Sequence, residues 1–269
     1  MLFLAWGAFA NAAPLAPALT PFETTIQGKW FNEYSTSPQA PGDENKRSSI
    51  ESQLVVALKT SPEFWVEGEI GLTQILEPTP EFNLVNPSFR GFYRVTDPSL
   101  QTFKIEIGPT TAFALSEKSR QESLYLSAGA AVRFSLKGSN PIAHQGEGGF
   151  SAYYDLAFNR NFHQYETSDL GEVNTEYSLD HFLYAEYDFK GPFLIDAWIG
   201  FSSAWSYQGE VSNDYTLGQE LVFSATDWMD LSILHERGGD FLSPSGQTYN
   251  FGLFDANESR FAGTVTLYF

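Results

Sequence analysis

Residues Ser259 to Phe269 alternate with period two. Phe261, Gly263, Val265, Leu267 and Phe269 fall on one face, and Arg260, Ala262, Thr264, Thr266 and Tyr268 on the other. That is a strand with one apolar and one mixed face. The same rhythm recurs from Thr24 onward, in segments divided by turn residues such as Thr60-Ser61-Pro62-Glu63, Asp97-Pro98-Ser99 and Lys190-Gly191-Pro192. Wound into a helix, a period of two scatters its apolar residues around the axis. The chain is therefore read as all-β, and every apolar face needs cover.

The alternation divides into twelve strands. Their spans are about Thr24–Ser35, Ser48–Lys59, Phe64–Leu76, Phe89–Thr96, Thr102–Ala114 and Ser123–Lys137. The second half gives about Gly149–Phe162, Thr175–Phe189, Phe193–Tyr207, Asp214–Ala225, Met229–Glu236 and Ser259–Phe269. The sixth is the cleanest: Leu124, Leu126, Ala128, Ala130, Val132, Phe134 and Leu136 oppose Ser127, Arg133 and Lys137. Long connections are expected after strands 1, 3, 5, 7, 9 and 11 and short turns after 2, 4, 8 and 10, with the turn after strand 6 as the exception. Pro78, Pro80 and Pro87 are assigned to a long loop before strand 4. Tyr249-Asn250-Phe251-Gly252-Leu253-Phe254 is too apolar for a free loop, and is read as a hairpin arm, an inward plug or an adhesive patch.

An even strand count, loops alternating in length and strands of ten or so residues resemble the Gram-negative outer-membrane β-barrel class. The resemblance covers about Thr24 to Phe269 and rests on pattern, with no family-specific motif. It implies a single closed antiparallel transmembrane barrel with short periplasmic turns, long extracellular loops and porin-like character. It also implies that Phe261, Val265, Leu267 and Phe269 form the closing-strand signal read by the barrel-assembly machinery during insertion. Closure removes the edge strands that would otherwise aggregate. Outer-membrane lipid and lipopolysaccharide are the expected surroundings, and the cell outer membrane the expected location.

Composition agrees with that class. No run of 18 apolar residues offers a transmembrane helix, and the mean hydropathy of -0.23 suits a barrel, where only alternate residues meet lipid. Aromatics make up 16%, including 24 Phe and 13 Tyr. Phe64, Trp65, Phe193, Trp228, Tyr268 and Phe269 are assigned to a girdle by the short turns, and Trp30, Tyr34, Trp205, Tyr207 and Tyr215 to one by the long loops. Cys is 0, which excludes disulfides, thiolate zinc sites and a Cys nucleophile. A net charge of -18 argues against a nucleic-acid partner. Leu2 to Ala10 is a short apolar run followed by Ala10-Asn11-Ala12, which reads as a signal peptide over 1–12. A periplasmic segment over 13–23 then precedes the barrel, 24–269.

The polar faces carry the candidate chemistry. Strands 4 to 6 place Arg90, Arg94, Lys104, Arg133 and Lys137 inward, with Glu106 as the anion. Strands 7 to 11 place Asp155, Glu186, Asp188, Asp196, Glu220, Asp230 and Glu236 inward. Opposed basic and acidic walls set a transverse field across water, which resembles the constriction of general porins. The reading is a passive channel for small polar solutes in which wall charge sets selectivity. The alternatives are a barrel sealed by paired charges that acts through its loops, and a hydrolase. His181 and His235 face outward by parity, yet the His, Asn-Gly and Ser-Arg pattern of the outer-membrane phospholipases is missing. Asp169, Asp240, His163 and His235 lie near loops, with nothing to join them into an omptin-like protease site. No enzymatic activity is expected. Gly146-Glu147-Gly148-Gly149 is a turn, with no helix to make it a nucleotide site. Gly42-Asp43-Glu44-Asn45 lacks EF-hand spacing. No cofactor or metal is expected.

Overall fold

The computed structural model describes residues 24–269, apart from 40–42, 44–45, 62, 78, 97–101, 138–148, 190, 242–248, 251 and 256–257. The expected signal peptide and N-terminal segment lie outside the described residues, as does most of the acidic 42–45 loop. Twelve antiparallel strands close into one barrel, each strand pairing with its neighbours in sequence and β1 with β12. They are β1 Thr25–Thr36, β2 Ser48–Lys59, β3 Phe64–Glu77, β4 Glu81–Arg94, β5 Phe103–Phe113 and β6 Leu124–Lys137. The rest are β7 Gly149–His163, β8 Thr175–Asp188, β9 Phe193–Ser206, β10 Val211–Thr226, β11 Met229–Asp240 and β12 Ser259–Tyr268. A short helix, α1 (Glu117–Gln121), sits between β5 and β6.

Closure is made at the two ends of the chain. Lys29 to Thr36 pair with Tyr268 to Phe261. Beyond them the Gly28 N–H donates to the Phe269 carbonyl at 2.9 Å, and the Phe269 N–H to the Gly28 carbonyl at 3.0 Å. The Phe269 ring lies over Gly28, where a Cβ would meet ring carbons at 2.3 Å. Phe261, Val265, Leu267 and Phe269 all belong to the outward face of this strand.

Outward positions are apolar and exposed along most of the wall, as Ile70, Leu72, Ile107, Phe134, Leu183 and Leu221 illustrate. An apolar band round a closed barrel, with every ladder paired, suits hydrocarbon surroundings. Two outward charged residues sit near the long-loop ends and carry partners. Arg160 pairs with Glu176 at 3.1 Å, and Arg237 with Glu258 at 2.9 Å.

Several expectations fail in detail. β4 begins at Glu81, so the connection after β3 is short (78–80). Pro87, read as a loop breaker, lies within β4 at a bulge, where Asn86 and Pro87 together oppose Ile70. A bulge residue needs no ladder N–H, which is why Pro is tolerated there. The bulge turns Asn86 toward the β5–β6 connection. Its Oδ1 accepts from the N–H groups of Leu115 and Ser116, each at 2.8 Å, and its Nδ2 donates to Ser119 Oγ at 2.6 Å. The connection after β9 is also short, because β10 begins at Val211 and Gly209 takes φ +80° in a tight turn. β11 runs on to Asp240.

The girdle assignment needs correcting as well. Trp65 turns inward and stacks on Phe92 at 4.3 Å. Tyr268 also turns inward and donates to Asp230 Oδ2 at 2.8 Å. Trp30 pairs with Leu267, close to the short-turn end of β12. Tyr215 is 0% exposed, covered by the β11–β12 connection with Arg237 over its ring. None of the connection's described residues adds a strand to the barrel, so the count of twelve stands, and Phe254 packs against His235 and Phe261 on the outer wall while Leu253 is exposed.

Candidate functional site

The candidate site is the lumen. Alternation turns every second residue inward, and those residues carry most of the charge in the strands.

On one wall a buried ion cluster spans β4 to β7. Register sets Arg133 of β6 directly opposite Asp155 of β7. Arg133 Nε and Nη2 donate to Asp155 Oδ1 and Oδ2, both at 2.7 Å. Arg90 of β4 reaches the same carboxylate, Nη1 to Oδ2 at 3.3 Å. It crosses β5 and β6 to do so, and Gly108 and Ala131, paired there, present no bulk against that reach. One carboxylate thus accepts from two guanidiniums, one of them bidentate, the stronger class of charged hydrogen bond. Aromatic faces complete the cluster. Phe92 lies 5.2 and 4.9 Å from the guanidinium carbons of Arg90 and Arg133, and Tyr153 lies 4.8 Å from that of Arg133. Trp65 Nε1 donates to Glu106 Oε1 at 3.3 Å.

Across the lumen a second cluster joins β12, β11 and β1. Arg260 Nε donates to Glu236 Oε1 at 2.9 Å, and its Nη1 bonds Glu33. Trp198 of β9 lies flat over Gly218 of β10, where a Cβ would meet its ring at 2.1 Å, and donates to Glu236 Oε2 at 3.2 Å. Lys29 of β1 lies within electrostatic reach of Glu67 and Glu69 of β3 and of Glu220 and Asp196 of β10 and β9. Asp180 adds a polar ladder nearer the long loops. It accepts from Ser202 Oγ at 2.6 Å and Ser178 Oγ at 3.3 Å.

The predicted wall residues are placed as follows. Arg90, Arg94, Lys104 and Arg133 occupy inward positions of β4 to β6. Lys137 ends β6, its side chain outside the described part. Glu186, Asp188, Asp196, Glu220, Asp230 and Glu236 occupy inward positions of β8 to β11. Asp155 is inward too, but it stands inside the basic cluster, and Glu67 flanks that cluster from β3. Asp155 of β7 thus neutralises part of the charge of the adjoining basic strands, and further carboxylates stand on β1 to β3. Lys29, Glu33, Glu51, Glu67, Glu69 and Arg260, which lie outside the predicted walls, are inward by the same parity. With them included, inward carboxylates outnumber inward cations among the described residues.

The described histidines form no such cluster. His181 Nδ1 shares a 2.6 Å hydrogen bond with the Tyr154 hydroxyl on the outer wall. His235 packs against Phe261 and Phe254 at centroid distances of 4.9 and 6.1 Å. His163 lies 3.4 Å from the Tyr207 hydroxyl, while the Asp169 N–H bonds Gln121.

No protein-family model and no curated protein matches the chain. Solved structures do. The NanC porin has a TM-score of 0.55 at 12% identity, over 89% of this chain and 98% of that one. An outer membrane channel from Pseudomonas putida F1 scores 0.55 at 11%, over 95% and 100%. The KdgM porin in complex with disordered oligogalacturonate scores 0.51 at 9%, over 90% and 99%. The chain has the fold of these outer-membrane porins and channels.

Proposed function

We propose that the protein is a passive outer-membrane channel for small hydrophilic solutes, and that its lumen favours cations and neutral solutes over anions. The observation that carries this reading is the excess of inward carboxylates over inward cations among the described residues, with Glu67, Glu69, Asp196 and Glu220 of β3, β9 and β10 all within electrostatic reach of Lys29. A narrow low-dielectric passage lined with fixed negative charge concentrates cations and repels anions. One structural neighbour is described with an oligogalacturonate, a polyanion. The excess of lumen carboxylates here disfavours such a guest. The wall residues act as the selectivity elements, with Arg90 and Arg133 held by Asp155 as a rigid constriction and Arg94 and Lys104 nearer the short turns. The closing strand is the segment the assembly machinery reads, and lipopolysaccharide and phospholipid surround the band.

The test is single-channel conductance of the refolded protein in a planar bilayer. Steady conductance is expected, with Arg94→Glu raising the preference for cations and Glu220→Gln lowering it. Conductance indifferent to both changes would refute the wall assignment. A folded barrel that never conducts would favour the second reading, a structural or adhesive barrel. That reading is supported by the buried Arg90–Asp155–Arg133 cluster and by exposed Tyr249, Leu253 and Phe254 on the β11–β12 connection.

A further inference from the structure

The outer wall is not uniformly apolar. Between β10, β11, β12 and β1 it carries a groove of about 560 Å³, lined by Tyr34, Leu221, Ile233, Phe261 and Gly263. Gly263 forms part of its floor, where an added Cβ would meet nothing closer than the Ser232 carbonyl at 3.8 Å. At its upper end stand two polar side chains, Gln219 and His235, paired across β10 and β11 in the register. His235 Nε2 is buried without a hydrogen-bond partner among the described residues. The Gln219 amide beside it is on the exposed outer face, and a polar group turned to hydrocarbon costs free energy unless something there satisfies it.

The level of this pair identifies what would satisfy it. Below it the outward residues of β10 and β11 are Leu221, Phe223, Ile233 and Leu231. Above it come Arg237 with its Glu258 partner and the covering β11–β12 connection. The pair thus marks the height at which hydrocarbon gives way to headgroups, where the acyl ester carbonyls of a lipid lie. The geometry points to a fixed binding site for one acyl-ester lipid of the outer leaflet. Its chain lies in the groove past Leu221, Ile233 and Gly263, and its ester carbonyl accepts a hydrogen bond from the exposed Gln219 amide beside His235. The groove is continuous with the apolar band that lipid already covers, and this selects a lipid over a second copy of the chain as occupant. The inference rests on the membrane placement proposed above and is independent of conduction.

The test uses the full chain refolded in detergent, two probes and native mass spectrometry. The probes are ester-linked dipalmitoyl phosphatidylethanolamine and its ether-linked dihexadecyl counterpart, which has no carbonyl. The unmodified protein is expected to retain one ester lipid and to hold the ether lipid about tenfold more weakly, the worth of one hydrogen bond. Gly263→Trp fills the groove and should abolish retention of both. Gln219→Leu combined with His235→Phe should erase the ester–ether difference. Equal retention of the two lipids by the unmodified protein, or retention untouched by Gly263→Trp, would overturn the site. So would a concentration-dependent dimer that Gly263→Trp dissolves, since the groove would then seat a second copy. The ester–ether comparison needs no variant and holds if a variant misfolds. Failure to insert into phosphatidylethanolamine and phosphatidylglycerol vesicles would instead overturn the membrane placement. Loss of conductance with lipid retention intact would overturn the channel reading alone.

Discussion

At the residue scale, Asp155 organises one wall of the lumen. It is 5% exposed and accepts from both Arg133 and Arg90, themselves 6% and 4% exposed. Its removal takes the bidentate partner from buried Arg133 and one partner from buried Arg90, and breaking a buried pair in this way costs about 3–5 kcal/mol. Asp155→Ala is expected to lose roughly that much in urea unfolding of the refolded barrel. Loss of well under about 1 kcal/mol, the worth of an exposed pair, would contradict the buried-cluster account. Parity in the sequence was enough to turn Arg133 and Asp155 inward. It was not enough to show that they touch, because cross-strand register is set by turn geometry and bulges. Strands 6 and 7 are neighbours, so Arg133 and Asp155 border the same part of the wall, and the register sets them face to face. The same parity turns Lys29, Glu67 and Arg260 inward, but which charges they meet across the lumen depends on the closed barrel.

At the element scale, the strands were legible and the connections were not. Pro87 marked a loop in sequence, but a bulge at Asn86–Pro87 carries β4 through it. Asn86 then anchors the β5–β6 connection through three hydrogen bonds, two of them to backbone N–H groups. Asn86→Ala should free that connection while the barrel stays closed, with trypsin cleaving after Lys118 or Arg120 faster than in the unmodified protein. An unchanged cleavage rate would show that the Ser116 cap alone holds it. Glycines at close approaches were equally silent in sequence. Gly218 lies under the Trp198 ring at a distance that no Cβ tolerates. Gly218→Leu is expected to displace Trp198 from Glu236, seen as a change in Trp fluorescence, and to destabilise the barrel by about 1–3 kcal/mol through overpacking. A stable variant with an unchanged spectrum would contradict the packing described.

At the scale of the whole molecule, closure explains why so acidic a chain carries an apolar exterior. Alternation exports apolar side chains to the outer wall and imports charge to the lumen. The net charge of -18 is therefore concentrated partly where solutes would pass. A twelve-stranded barrel was legible because its dyad pattern extends over the whole chain, and the terminal strand pairs with β1 as its apolar face requires. The outer groove was not legible, because it depends on how Gly263, Tyr34 and Ile233 come together across three strands.

The most direct test of the central claim is the zero-current potential of the unmodified protein in a planar bilayer under a KCl gradient. A potential of the sign set by potassium permeating faster than chloride is the predicted result. A potential of the opposite sign, set by chloride, would contradict it and shift the working charge to Arg94, Lys104 and the arginine cluster.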